Sequence, residues 1–304
     1  MITEDLIPGK KTSWFDVEKP DSQDFETLSE KFNLPYLLVQ DTLRPEHLPK
    51  YEFTEEGHFF MLRAYDQEST DASITVQELT RKIAIFISEH RLVTIHRIHF
   101  ECVDKISSKI KKNHSPWSIQ KIVHEIILEV VRSYEKRVTS LQDIYDDFEK
   151  DILSKKNKPL DFTRIYRFRR QIFVIKRILK QTEEALYRSK DFWKGHQSMF
   201  QDVKENIDQI YYELDEISDN FEHLFQLHIS LNDQRANEVM KVLTVFSSII
   251  LPINFIASFY GMNFKFIPGL ESPSAILWVL ASMTFIGVGL MWFFKRRGWF
   301  FGGD

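Results

Sequence analysis

The sequence has few of the residues that cross-link or break a chain. Its 304 residues include one cysteine, 10 glycines and 10 prolines. A lone Cys102 excludes an intrachain disulfide and suits a reducing compartment. The chain has 26 phenylalanines and little glycine or proline. This composition predicts a folded chain with a packed core, and not a disordered one. The first residues, MITEDLIPGKK, lack an apolar run, so we expect no cleavable signal peptide.

Signatures of catalysis are also missing. The sequence has no nucleophile elbow, Walker-type glycine loop or HExxH pair, so we expect neither an enzyme nor an ATP-driven pump, and no bound cofactor. His96, His99 and Cys102 lie three residues apart, a spacing that suits zinc on a helix. The surrounding pattern is typical of a strand end entering a loop, where these side chains diverge, so a zinc site is the less favoured interpretation.

Charge is absent from two long segments near the C-terminus. Residues 242–264 and 272–294 each contain 23 residues without a charged side chain. Because about 20 apolar residues span a bilayer core, we predict two transmembrane helices joined by a short loop, 265–271. The alternative is a buried core hairpin, which the basic run after the second segment disfavours.

The distribution of basic residues predicts the orientation. Lys241 precedes the first span, and Lys295, Arg296 and Arg297 follow the second. Since basic residues stay cytoplasmic, both termini are expected inside a multi-pass cytoplasmic-membrane protein, with the loop outside and residues 295–304 as a basic cytoplasmic end. The whole chain carries −4 and residues 241–304 carry +3, so residues 1–240 carry −7. An acidic soluble part argues against nucleic acid as a partner.

The part before the spans changes from mixed to helical. Residues 59–66, 82–88 and 91–97 read as strands, and residues 22–43 have helical spacing interrupted at Pro35. We therefore predict an α/β domain over residues 1–115 and a helix pair over 116–198, with helices at 117–153 and 161–190.

The two predicted helices have opposite charge. Asp143, Asp146, Asp147, Glu149 and Asp151 end the first, whereas residues 150–190 hold 13 Lys and Arg against four Asp and Glu. An antiparallel pair with complementary faces is the simplest interpretation. The basic segment could instead face anionic lipid headgroups or neighbouring acidic helices.

A long helix is predicted to lead into the first span. Neither glycine nor proline occurs across the 56 residues between Gly195 and Pro252, so a stalk helix over 199–241 runs directly into 242–264. One face of it is largely polar at alternating four- and three-residue spacing, and it continues into the membrane through Asn237, Met240, Thr244, Ser247, Leu251, Asn254 and Ser258. Polar groups in a span face a bundle interior or water, although helix–helix packing is the alternative. A single hairpin cannot enclose water, so a water-lined face requires several copies around an axis, with acidic walls that favour cations.

The first span ends in Tyr260, Gly261, Met262, Asn263 and Phe264. This Gly-Met-Asn ending, with RANEVMKVLT entering the span and KRRGWF after the second, resembles the CorA family of magnesium transport proteins. LVQDTLRPEHLPKYE (38–52) and ITVQELTRKIAIFISEHRLVTIHR (74–97) are similar to its cytoplasmic domain. The resemblance implies an α+β cytoplasmic funnel domain, a long stalk helix continuing into a two-helix transmembrane hairpin, and a pentameric channel.

The resemblance also implies site residues. Gly261, Met262 and Asn263 would form the external mouth, where a ring of Asn carboxamide oxygens suits hydrated Mg²⁺, which dehydrates reluctantly; Asn263 as a helix C-cap is the alternative. Positions carried over as pore-lining are Asn237, Met240, Leu243, Leu251 and Asn254. Asp41 and Asp202 match carboxylates that hold a regulatory Mg²⁺ between subunits, with Gln40 where a further acidic residue is common, which predicts a weaker site. For Asp41 and Asp202 the alternative is a helix cap or a solvated surface group.

We therefore expect passive, gated influx of Mg²⁺ through a homopentamer inhibited by intracellular Mg²⁺, with Co²⁺ and Ni²⁺ as further candidate ions and membrane lipids as neighbours. One rival is a Zn²⁺ transporter of the same superfamily. The other is a membrane-anchored coiled-coil interaction protein without ion flux, which does not need a polar face through the span.

Overall fold

A computed structural model describes residues 2–6, 13–20, 24–112, 117–154, 160–263 and 274–299. The chain divides into two compact units, residues 1–222 and 223–304. The predicted loop 265–271 and the last five residues lie outside the described residues. Within them, the predicted α+β architecture, with a long helix and a C-terminal apolar helix, is confirmed.

The first unit contains a six-stranded sheet with helices on both faces. Its strand order is β1-β2-β6-β5-β4-β3, in which only the β2–β6 pair is parallel. The strands are β1 (Ile2–Leu6), β2 (Ser13–Glu18), β3 (Lys50–Thr54), β4 (Gly57–Tyr65), β5 (Thr80–Ile87) and β6 (Arg91–His96). The three predicted strands correspond to β4, β5 and β6, whereas the pattern did not predict β1, β2 and β3.

The sheet is central because its inner strands are apolar on both sides. Seven consecutive residues of β4, from Phe59 to Tyr65, are buried, which is typical of a strand covered on both faces. Helices α1 (Asp24–Phe32) and α2 (Tyr36–Leu43) cover one face through Leu28, Phe32 and Val39. The break that Pro35 predicts is present, with Asn33 in the left-handed region at φ 52°.

The helices that follow are α3 (Val76–Leu79), α4 (Glu101–Lys112), α5 (Ile119–Arg132), α6 (Glu135–Leu153), α7 (Phe162–Arg188), α8 (Gln197–Tyr260) and α9 (Ala275–Arg296). The prediction of one helix over 117–153 was wrong, because a turn at Ser133 and Tyr134 separates α5 from α6. Ser133 Oγ accepts the Tyr65 N–H at 2.7 Å, and the buried Tyr134 hydroxyl donates to the Arg63 carbonyl at 2.6 Å. These two hydrogen bonds hold the turn between α5 and α6 against β4. They divide into two helices a segment whose apolar residues keep helical spacing throughout.

A buried acid–base pair joins β2 to β6. The His96 imidazole, 1% exposed, lies 3.1 Å from Asp16 Oδ1 and contacts the Ile98 carbonyl at 2.8 Å. Burial alone would lower the pKa of His96, but the hydrogen bond and charge of Asp16 outweigh it and raise the pKa above its ordinary 6.5. This pair therefore contributes stability that is fully present below about pH 6.5 and is lost as the pH rises through the folded-state pKa.

We predict that Asp16→Asn destabilises the protein more at pH 5.5 than at pH 8. Hydrogen bonds to a charged group contribute about 1.5–3 kcal/mol, and only the protonated imidazole forms one that Asn cannot replace. Thermal unfolding of the detergent-solubilised protein at both pH values measures the difference. Asp104→Asn is the matched control, because Asp104 contacts the half-exposed His99 at 3.1 Å. Equal destabilisation by Asp16→Asn at both pH values would contradict the assignment.

Candidate ion path and regulatory carboxylates

The predicted pore face is uncovered in the second unit. Every residue assigned to it is exposed: Asn237, Met240, Leu243, Thr244, Ser247, Leu251, Asn254 and Ser258. At 100° per residue, the less exposed positions of α8, such as Val245, Ile249 and Ile256, lie roughly on the opposite side. The helix therefore separates a packed face from an open one.

The packed face of α8 lies against α9. A Cβ placed on Gly287 would come 3.5 Å from Ile253 Cδ1, an ordinary van der Waals contact, so the two helices are neighbours at this point. The less exposed positions of α9 recur every three or four residues, at Ala275, Val279, Met283, Ile286, Gly287, Leu290 and Phe294. Both helices are long and apolar enough to cross a membrane by length and composition. The predicted pore face thus lies within the surface that α9 leaves free, and this surface also includes apolar residues such as Phe246, Ile250 and Phe255.

The polar side chains of the open face leave most of the helical hydrogen bonding of α8 intact. Thr244 Oγ1 donates to the Met240 carbonyl at 2.8 Å, so this hydroxyl is satisfied within the helix. Pro252 is the one proline inside α8, and because it has no N–H, the Ser248 carbonyl loses its helical donor. A free carbonyl in a membrane span needs water or another donor.

The Gly-Met-Asn triplet lies where α8 ends. The helix stops at Tyr260, and the Gly261 N–H still donates to the Ala257 carbonyl at 2.9 Å. A Cβ on Gly261 would come 3.1 Å from that carbonyl oxygen, tighter than ordinary contact. Met262 and Asn263 are exposed and follow in non-helical backbone. This places Asn263 beyond the last helical turn of α8.

Aromatic and basic residues mark the other end of the hairpin. The Arg296 guanidinium lies 5.4 Å from the Trp292 ring centroid, and that of Arg297 lies 5.2 Å from Phe293. Amphipathic aromatics with adjacent cations are typical of a membrane–water boundary.

Asp41, predicted to be regulatory, already has cationic neighbours in its own chain. Its Oδ2 accepts from Lys50 Nζ at 2.7 Å, and its Oδ1 lies 3.2 Å from His47 Nε2. Partial burial would raise the pKa of Asp41, but the Lys50 hydrogen bond and the charges of Lys50 and His47 outweigh it and lower the pKa below 3.8. The Asp41 carboxylate is therefore ionised at neutral pH and forms an ion pair with Lys50.

Two basic side chains on β4 and β5, of which Arg63 is buried and Lys82 partly buried, fix the backbone around Asp41. Lys82 Nζ donates to the Asp41 and Arg44 carbonyls at 2.7 Å each, which satisfies the C-terminal end of α2. Arg63 Nε donates to the His47 carbonyl at 2.7 Å. Burial, and then repulsion from Arg63, lowers the pKa of Lys82 to about 7. These donors position the loop that carries His47 beside Asp41.

Asp202 on α8 pairs with a residue that the sequence did not indicate. His124 of α5 places Nε2 at 2.8 Å from Asp202 Oδ2, while the Asn206 side chain donates to the Asp202 carbonyl at 2.8 Å. The Asp202 side chain remains 46% exposed. His124 lies in the segment KIVHEIILEVV, which also contains Glu125 and Glu129, so the sequence pattern does not single it out.

The recorded partners of Asp41 and Asp202 do not include each other. Across the described residues, no three His, Cys, Asp or Glu side chains lie close enough together to hold a metal ion. His96, His99 and Cys102 diverge: His96 faces Asp16, His99 contacts Glu18 and Asp104, and Cys102 lies on α4. Burial raises the pKa of the Cys102 thiol to about 12, so it is not a metal-ready thiolate.

Comparison with known proteins identifies the family and the fold. A family model described as CorA-like Mg²⁺ transporter protein matches residues 9–296. The cobalt/magnesium transport protein CorA of Thermotoga maritima is 24% identical over 97% of this chain and 86% of its own length. That of Methanocaldococcus jannaschii is 24% identical over 94% and 90%. The fold is similar to the complete structure of the CorA magnesium transporter from Methanocaldococcus jannaschii, with a TM-score of 0.79 at 22% identity over 98% of this chain and 94% of that one.

The family model covers nearly the whole chain, including both apolar helices and the Gly-Met-Asn triplet. The chain therefore belongs to the family of CorA-like Mg²⁺ transporter proteins and is a membrane protein that transports divalent metal ions.

Proposed function

We propose that this chain forms a homopentameric, gated pore for passive Mg²⁺ influx across the cytoplasmic membrane, with Co²⁺ and Ni²⁺ as further permeant ions. The observation that carries the proposal is the open face of α8, which stays uncovered by α9 and ends at Asn263. Relatives named as magnesium and cobalt transport proteins support the choice of ions.

In this proposal the mouth recognises the ion with its water. Five Asn263 carboxamides would accept hydrogen bonds from the first-shell waters of Mg²⁺ without replacing them, which suits an ion that dehydrates reluctantly. Farther in, Met240, Leu243 and Leu251 would form apolar constrictions that close by dewetting. Both termini would lie in the cytoplasm, as the basic residues beside the spans indicate.

The direct experiment is uptake of Mg²⁺ into proteoliposomes of the purified protein, with Co²⁺, Ni²⁺ and Zn²⁺ as competitors. Mg²⁺ uptake without ATP, inhibited by Co²⁺ and Ni²⁺, supports the proposal. Preferential Zn²⁺ uptake would favour the zinc rival, and the absence of any flux would favour a membrane-anchored interaction protein.

We predict a mass of five chains for the detergent-solubilised protein, since a pore lined by one face of α8 requires copies around an axis. Native mass spectrometry and light scattering measure the stoichiometry directly. A monomer or dimer that still conducts Mg²⁺ would contradict the shared-pore arrangement.

We predict that Asn263→Ala lowers Mg²⁺ uptake at least about tenfold while assembly is retained. Each carboxamide hydrogen bond contributes about 1 kcal/mol, five copies act on one ion, and a tenfold change corresponds to about 1.4 kcal/mol. Thr284→Val is the control, because its hydroxyl donates to the Leu280 carbonyl of its own helix at 2.8 Å. Wild-type uptake by an assembled Asn263→Ala pentamer would refute the ring.

Regulation is proposed to act through Asp41 of one subunit and Asp202 of its neighbour. Residues 199–240 contain ten Asp and Glu against two Lys and Arg, so like charges repel between copies unless a divalent cation lies between them. A cation bound preferentially in the closed state keeps the pore shut when internal Mg²⁺ is plentiful. Five weak sites together supply the few kcal/mol that shift such an equilibrium.

We predict opposite effects from two variants of this site. Asp202→Ala removes a ligand and should raise the internal Mg²⁺ concentration needed for inhibition. His124→Ala removes the imidazole that contacts Asp202, so the cation no longer competes for the carboxylate, and inhibition should need severalfold less Mg²⁺. Inhibition curves in proteoliposomes of fixed internal Mg²⁺ measure both.

Glu205→Ala is the matched control, since Glu205 is exposed one turn along α8 and accepts a hydrogen bond from Gln201. If Asp41→Ala and Asp202→Ala both keep wild-type inhibition, the sensor is elsewhere, and the acidic segment of α6 from Asp143 to Asp151 is the next position to test.

A further inference from the structure

The first unit carries an aromatic, basic groove that the proposed ion path does not use. It lies between α7 and α8, has a volume of about 960 Å³ and extends along α7 from Phe162 to Gln181. At 1.5 Å per residue, that length is about 28 Å. A groove of this length suits a helix better than a small anion.

The groove presents apolar rings and cations together. Phe162, Tyr166 and Phe173 of α7 are 71%, 59% and 55% exposed, which is high for aromatic side chains. The whole of α7 carries eight Arg and Lys against two Glu. An exposed patch of this kind marks an interaction site, and its charge requires an acidic partner.

Some of these cations already have partners, and others do not. Lys176 pairs with Asp215 of α8, and Arg169 lies 3.3 Å from Glu222. Arg170 stacks over Phe173, with its guanidinium 5.5 Å from the ring centroid. Among the described residues, no carboxylate is recorded within ion-pair distance of Arg170 or Arg177. Lys180 pairs with Glu183 of its own helix. Of the described cations that line the groove, these two arginines therefore remain for a partner.

The protein's own α6 has the complementary properties. It is 19 residues long, again about 28 Å, and contains six Asp and Glu against three Lys and Arg. Asp143 and Asp151 are exposed, whereas Asp147 already lies 3.4 Å from Arg164 of α7. Leu153 at the end of α6 is 59% exposed. The length of α6 equals that of the groove, its negative charge is opposite to that of α7, and Leu153 offers an apolar side chain to the aromatic rings.

In its own chain, α6 already occupies another side of the α7–α8 pair. Phe148 of α6 packs on Phe168 of α7 and Phe221 of α8, with ring centroids 5.6 and 5.5 Å apart. Phe168 and Phe221 also line the groove, whereas Phe148 does not. The acidic helix and the basic groove are thus two different surfaces of one subunit, as a head-to-tail contact that closes a ring requires.

We propose that the groove between α7 and α8 binds the acidic α6 helix of a second copy of this chain. The apolar rings would cover the α6 backbone and Leu153, while Arg170 and Arg177 would pair with its carboxylates. This contact rests on the oligomer of the proposed function but concerns a surface outside the ion path.

Cross-linking of the full-length protein tests the contact. Two differently tagged copies are co-expressed in a Cys102→Ser background, one with Asp143→Cys and the other with Arg170→Cys. Both positions lie near the midpoints of helix and groove, so they meet whether the helices run parallel or antiparallel. A short bismaleimide should give a product carrying both tags. Glu56→Cys, exposed in the β3–β4 turn, replaces Asp143→Cys as the control and should give none.

Charge reversal identifies the occupant. Arg177→Glu should reduce the mixed-tag product severalfold, and adding Asp151→Lys to the copy that supplies α6 should restore it. Loss without restoration would overturn the assignment of α6. The cross-linking yield is also measured in nanodiscs of different anionic-lipid fraction. A yield that changes with this fraction, and does not respond to the charge reversal, would overturn the assignment of α6 in favour of lipid headgroups.

A separate cysteine reports on assembly itself. Asn237→Cys places identical thiols on the proposed pore axis and should cross-link copy to copy. If Asn237→Cys links but the Asp143–Arg170 pair does not, the groove contact is wrong and the oligomer stands. If neither pair links, both the shared pore and the groove contact are refuted.

Discussion

The structure depends on the backbone hydrogen bonding of one helix. In α8, 64 residues run from Gln197 to Tyr260 without a glycine and with a single proline. A membrane offers no water to an unpaired peptide group, so the backbone must remain helical there. The same helix carries Asp202, the positions assigned to the pore and, at its end, Asn263. Because a helix has a fixed rise per residue, the positions assigned to the pore keep a fixed spacing within the second unit.

Periodicity and charge predicted the features that depend on local sequence. The apolar segments 242–264 and 272–294, the strands around Phe59, Ile85 and Val93, and the break at Pro35 each follow from neighbouring residues. The two short edge strands β1 and β3 were missed because they contain charged residues and little alternation. The division of α5 from α6 was missed because its cause is Tyr134, which bonds to Arg63, 71 residues away.

The candidate site shows the same division. The Gly-Met-Asn triplet is a contiguous signal, and its position at the end of α8 follows from the apolar segment before it. The contacts around Asp41 and Asp202 do not follow from neighbouring residues. Lys82 is 41 residues from Asp41, and His124 is 78 residues from Asp202. Single-sequence patterns do not encode such contacts, and they decide how strongly each carboxylate would bind a cation.

Those contacts bear on what a regulatory site must do. A sensor of an abundant intracellular ion has to bind weakly, or it would stay occupied at every concentration. Asp41 shares its charge with Lys50 and His47, and Asp202 gives one oxygen to His124. A divalent cation between two such carboxylates must weaken or displace these partners, which reduces its net binding energy. Gln40, at a position where the family often has a carboxylate, acts in the same direction. The proposed weak affinity is therefore built from ordinary hydrogen bonds within each subunit, while repulsion among the acidic residues of α8 supplies the opposing force that separates subunits when the ion leaves.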